Sequence, residues 1–149
     1  ERLHIVKANS SILQQVALNL LTNAIHALKD RSGEIRVSLK GVTIHHEMAL
    51  LHNVAVGEYI ELSVFDTGVG IPEKVLNHIF EPFFTTKDEK TGTGLGLSVS
   101  YFIVCEQLGG ELSVESQEGK GCRFTIHLPL IREDDDNQLK HDEQIELPL

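Results

Sequence analysis

Asn19 and Asn23 stand four residues apart in the run Asn19-Leu20-Leu21-Thr22-Asn23. On a helix that spacing stacks two side chains on one face, one turn apart. An unpaired buried amide costs ~1–3 kcal/mol, so amides among apolar neighbours need partners. Their carbonyl oxygens are hard ligands of the kind Mg²⁺ takes. Two surface amides at the edge of an apolar stripe would give the same spacing.

Asp66-Thr67-Gly68-Val69-Gly70 follows a strand pattern. The glycines let a backbone approach a flat ligand and adopt positive φ. The Asp66 carboxylate can accept a hydrogen bond from an exocyclic amine such as that of adenine. An Asx turn at a strand end has the same appearance.

Gly92-Thr93-Gly94-Leu95-Gly96-Leu97-Ser98 opens a second helical pattern. Glycines ahead of a helix leave free N–H groups at the positive end of its dipole, an anion site. No Gly-Lys-Ser/Thr follows, so this is no P-loop. The spacing and the lack of a preceding strand exclude the dinucleotide fingerprint. A flexible hinge is the other reading. Between the two glycine motifs lies Phe80-Glu81-Pro82-Phe83-Phe84-Thr85-Thr86-Lys87, which holds three of the six Phe. It reads as a flap packed on the core with Lys87 reaching phosphate, or as a small satellite core with a solvated lysine.

The elements that would position these groups alternate clearly. Residues 2–7 form a short strand. Asn9, Ser10 and Ser11 are good N-caps for a helix over about 11–29, with Leu13, Val16, Ala17, Leu20, Ala24, Ala27 and Leu28 at three- and four-residue steps. Ile35, Val37 and Leu39 alternate with polar residues, and Ile60, Leu62 and Val64 share one face of a strand over 59–65. Residues 41–57 read as a long irregular hairpin connection. A short helix is predicted at 73–79 behind Pro72 and a loop at 80–96. A long helix should run from Leu97 to Gly109-Gly110, and strands at 111–116 and 122–128 flank a Gly119–Gly121 turn. Alternating strands have one wet face. They predict an α/β (α+β) two-layer sandwich, a mixed, mainly antiparallel sheet with helices on one face.

The chain has 149 residues, one domain's worth. Residues 1–130 form the predicted domain, and 131–149 an acidic linker or disordered tail. Thirteen Lys and Arg against 22 Asp and Glu give a net charge of −9, the wrong sign for coating nucleic acid. An acidic protein must hold phosphate with backbone N–H groups or a metal. Cys105 and Cys122 form no C-x-x-C pair and read as apolar fillers in a reducing compartment. No apolar run approaches the ~18 residues of a membrane span, and no signal peptide is visible.

Together, N-L-L-T-N-A, D-T-G-V-G-I-P, F-E-P-F-F, G-T-G-L-G-L-S and G-K-G-C-R-F-T-I-H-L-P occur in the order of the N, G1, F and G2 boxes and the final hairpin. The chain, over about residues 9–130, resembles the catalytic ATP-binding domain of sensor histidine kinases. That family lies in the gyrase–chaperone–kinase–mismatch-repair ATPase superfamily and has the Bergerat-type fold. The resemblance implies ATP and Mg²⁺ as cofactors. It implies Asn23 on Mg²⁺, Asn19 beside the phosphates, Asp66 on the adenine amine, and Gly68 and Gly70 shaping the base pocket. Residues 80–96 would be the ATP lid, with Lys87, Thr93, Gly94, Leu95, Gly96 and Leu97 near the phosphates. His26 stands where some relatives carry a basic phosphate contact; a solvated helix histidine is the other reading.

Hydrolysing members of the superfamily carry Glu at the position matching Asn19, as general base for a water. Asn cannot take a proton, so the resemblance implies γ-phosphoryl transfer to a histidine instead. The implied partners are an upstream phosphoacceptor and dimerisation module outside this chain, and a response-regulator receiver domain. The parent would be a homodimer acting in the cytoplasm, and this part would touch neither nucleic acid nor membrane. Cys122 stands where the family more often has Thr. His46-Glu47-Met48-Ala49-Leu50-Leu51 imitates the start of a phosphoacceptor helix, but it follows the N box and lacks Pro. The rivals are a hydrolysing ATPase of the same fold, a degenerate nucleotide-binding scaffold and, less so, a protein-serine kinase.

Overall fold

The computed structural model describes residues 4–29, 31–86, 94–131 and 144–147. Its centre is a four-stranded antiparallel sheet in the order β2-β3-β5-β4. These strands are β2 (Ile35–Ile44), β3 (Gly57–Asp66), β4 (Glu111–Gln117) and β5 (Gly121–Pro129). All pairings among the described strands are antiparallel, so the sheet is less mixed than expected. Register follows burial. Ile60, Leu62 and Val64 of β3 lie beside Leu128, Ile126 and Phe124 of β5, and all six face one core. A slip of one residue would turn that face to water.

Helix α1 (Ser10–Leu28) covers this face with Val16, Leu20 and Ala24, which are buried. Asn9 starts it: its side-chain oxygen accepts the N–H groups of Ser11 at 2.8 Å and Ile12 at 3.3 Å. Beside it runs α4 (Gly96–Tyr101), which continues as a π-helical segment, Phe102–Gln107. The widened turn is closed by the Leu108 N–H on the Ile103 carbonyl at 3.0 Å, and Gly109 ends it at φ +63°. The expected single long helix is thus two geometries in series.

Residues 41–57 depart from expectation. β2 runs on to Ile44, and α2 (His46–His52) follows. α2 lies on the outer face of the sheet, where Ala49 packs with Ile44 and Tyr59. The short helix behind Pro72 is α3 (Glu73–Leu76), one turn long. β1 (His4–Lys7) pairs antiparallel with β6 (Gln144–Leu147). Four residues of the segment read as a linker or tail are therefore strand, and 132–143 lie outside the described residues. No helix among the described residues is long and apolar enough to cross a membrane.

Candidate ATP-binding site

Asp66 ends β3 and is buried, 3% exposed. Its carboxylate accepts the Gly68 N–H at 2.8 Å and the backbone N–H of Cys122. Burial raises its pKa above the ordinary carboxylate value, and the two N–H groups oppose that rise. The loop after it is clamped from both sides. The Val69 N–H donates to the Ala27 carbonyl at 3.0 Å, at the end of α1. On the other side Gly119 donates to the Val69 carbonyl at 2.7 Å, and Ile71 donates to Ser116 Oγ at 2.8 Å.

Two glycines are required by contact. A Cβ at Gly68 would strike the Ala27 carbonyl, and one at Gly70, where φ is +69°, would strike the Gln117 carbonyl. The loop is pressed between α1 and the β4–β5 hairpin, with no room for a Cβ at either glycine. Ser116 was missed in the sequence. Its hydroxyl accepts from Ile71 and donates to the Gly121 carbonyl at 2.9 Å. A serine on a strand has no local pattern announcing a partner 45 residues away. Burial pushes the Cys122 thiol up to about 12, so it stays neutral beside Asp66.

Asn19 and Asn23 are half-buried on one face of α1. Asn19 Nδ2 donates to the Gly96 carbonyl and to Ser100 Oγ, each at 3.2 Å. The middle of α1 is thus tied to the first turn of α4. Leu95 stands at its N-cap with αR backbone and supplies no side-chain cap. Gly94, at φ +70°, abuts the Phe83 backbone so closely that a Cβ would strike it. Leu97 is half-buried against the core. His26 is exposed on α1. Lys87 and Thr93 lie outside the described residues.

The Phe cluster divides. Phe80 and Phe84 pack against the core, with Phe80 5.0 Å from the Tyr101 ring, whereas Phe83 is 73% exposed at φ +64°. His46 opens α2 beyond the Ile44–Gly57 end of the β2–β3 hairpin, and Asp66 ends the other. At ~3.3 Å per residue the strand separates them by about 30 Å. The His-Glu imitation is thus remote from the pocket.

A buried carboxylate beside a clamped glycine loop, two amides on a helix face and a glycine-rich helix start are thus arranged along α1 in an α+β sandwich. The family model for histidine kinase-, DNA gyrase B- and HSP90-like ATPases matches residues 8–132, and the chain belongs to that ATP-binding family. It is 43% identical over 131 residues to the sensor kinase CckA of Brucella abortus, covering 87% of this chain and 14% of that protein. Among solved structures it resembles the catalytic domain of the histidine kinase ThkA, at 31% identity and a TM-score of 0.61, over 83% of this chain and 69% of that one. It also resembles full-length ShkA solved in complex with AMPPNP, at 27% identity and a TM-score of 0.60, over 83% of this chain and 22% of that one. The chain spans 13 to 26% of the length of the curated relatives it matches.

Proposed function

We propose that this domain binds Mg²⁺-ATP and donates the γ-phosphoryl group to a histidine on a dimerisation module outside the chain. The observation that carries the reading is the contact of Asn19 with Gly96 at 3.2 Å, which brings the two-Asn face of α1 against the glycine-rich start of α4. In this reading Asp66 accepts the adenine amine, and Gly68 and Gly70 form the wall under the base. Asn23 would offer its carbonyl oxygen to Mg²⁺, whose charge would neutralise the phosphates. The N–H groups around Gly94, Leu95, Gly96 and Leu97 face the phosphates, with Lys87, Thr93 and His26 as further contacts.

Asn19 cannot accept a proton from water, so no residue at that position activates hydrolysis. Catalysis then consists of positioning and charge stabilisation, which suits transfer to a protein nucleophile. A sensor-kinase parent would pass the phosphoryl to a receiver domain and place this part in the cytoplasm. The relative solved with AMPPNP supports the nucleotide class. The test is incubation with γ-labelled ATP, Mg²⁺ and a supplied phosphoacceptor domain. Label on the acceptor histidine supports the reading. Free phosphate release without transfer would favour a hydrolase, and nucleotide binding with neither a scaffold.

A further inference from the structure

Ser100 lies on α4 outside the glycine motif and is completely buried. Its hydroxyl donates to the Gly96 carbonyl, four residues back, at 2.9 Å. A serine hydroxyl has one proton and two lone pairs. With the proton committed to Gly96, Ser100 Oγ can only accept from Asn19, which approaches at 3.2 Å. The Gly96 carbonyl, also 3.2 Å from Asn19 Nδ2, is an acceptor by nature. One end of the Asn19 amide therefore meets two acceptors, and only its NH₂ fits there. The Oδ1 end lies 3.9 Å from where a Cβ on Gly96 would stand, beside the space left by the absent side chain.

We propose that Ser100 is a positioning residue that locks the Asn19 amide in one orientation, Nδ2 on α4 and Oδ1 toward the nucleotide. An amide free to rotate by half a turn would offer a donor and an acceptor alternately to a ligand. Ser100 removes that ambiguity before the nucleotide arrives, and makes the first turn of α4 move with Asn19. The proposal rests on the nucleotide reading of the site for its consequence, but not for the amide lock itself.

Two measurements separate those levels. The first uses the ligand-free domain: the ¹⁵N-resolved NH₂ resonances of Asn19, assigned with Asn19→Ala. The proposal predicts two slowly exchanging, well-separated protons, retained in Ser100→Thr and lost in Ser100→Ala. Unchanged Asn19 resonances in folded Ser100→Ala overturn the lock. The second is a double-mutant cycle read by AMPPNP affinity with Mg²⁺. Loss of one hydrogen bond predicts affinity about three- to tenfold weaker in Ser100→Ala, restored in Ser100→Thr. The double variant should be no weaker than Asn19→Ala. Additive losses would mean that Ser100 acts through packing alone and would overturn the positioning role. A wild type that binds no AMPPNP would overturn both the proposed function and this consequence for the nucleotide.

Discussion

Glu61 of β3 and His127 of β5 face each other across the outer side of the sheet, with Glu61 Oε2 3.0 Å from His127 Nε2. The other ring nitrogen lies 3.2 Å from Glu111 Oε2, so both nitrogens meet carboxylates. Lys40 of β2 stands 3.1 Å from Glu61, and His52 of α2 stands 2.6 Å from Glu111. The Tyr59 side chain shares this face, and Tyr101, Cys105 and Glu106 lie within electrostatic reach of Glu111 or its neighbours. Two acceptor-only carboxylates call for a doubly protonated imidazole between them.

The hydrogen bond that His127 donates to Glu111 is the largest influence on its pKa; it outweighs burial and helps to raise the value above 6.5. A raised histidine pKa stabilises the fold below the unfolded value, and that stability is lost as pH rises through the folded value. Glu61 is lowered from 4.5, because its bonds to His127 and Lys40 outweigh burial. Its contribution is present above the unfolded value and lost as pH falls through the folded one. Both are in place between 4.5 and 6.5. Thermal midpoints should therefore fall more for the wild type than for His127→Gln between about pH 6 and about pH 8.5. Equal slopes in the two proteins would contradict the network.

Glycines 70 and 119 separate backbone strain from collision. Both have positive φ, +69° and +80°. A Cβ at Gly119 meets nothing within 4 Å, whereas one at Gly70 strikes Gln117. Gly119→Ala should cost about 1 kcal/mol from φ alone, and Gly70→Ala about 2–4 kcal/mol once overpacking is added. Urea denaturation checks both, and Gly70→Ala should also weaken nucleotide binding.

Along α1, burial decides cost. Leu20 is wholly buried and Leu18 is 62% exposed. Leu20→Ala should lose about 2–5 kcal/mol, and Leu18→Ala about 0.5 kcal/mol or less. Comparable losses in equilibrium unfolding would mean that the helix packs on another face.

Much of this fold was legible because its long elements are regular. The Asn9 cap and the three- and four-residue steps after it placed α1 to within a residue at each end. Ile60, Leu62 and Val64 identified the core side of β3. The stretch 41–57 was not legible for two physical reasons. β2 is an edge strand that runs past its alternating part into Gly41-Val42-Thr43-Ile44, where only Ile44 is buried, so its end carries little polarity contrast. α2 has seven residues, about two turns, too few for a helical period to declare itself. In the site, Asp66 and the Asn pair were visible as residue types at local spacings. Ser100 and Ser116 matter through contacts made 81 and 45 residues away, which no local pattern encodes.

Whether Asp66 and its glycine loop form an adenine pocket is decided by calorimetric titration of AMPPNP, with and without Mg²⁺, into the wild type and Asp66→Asn. The amide would present an NH₂ where the adenine amine needs an acceptor, or lose its own bonds to Gly68 and Cys122. An adenine pocket there predicts Mg²⁺-dependent binding by the wild type and a loss of at least about tenfold in a folded Asp66→Asn, the penalty of an unpaired buried donor. Equal binding by both proteins, or none by the wild type, would contradict it.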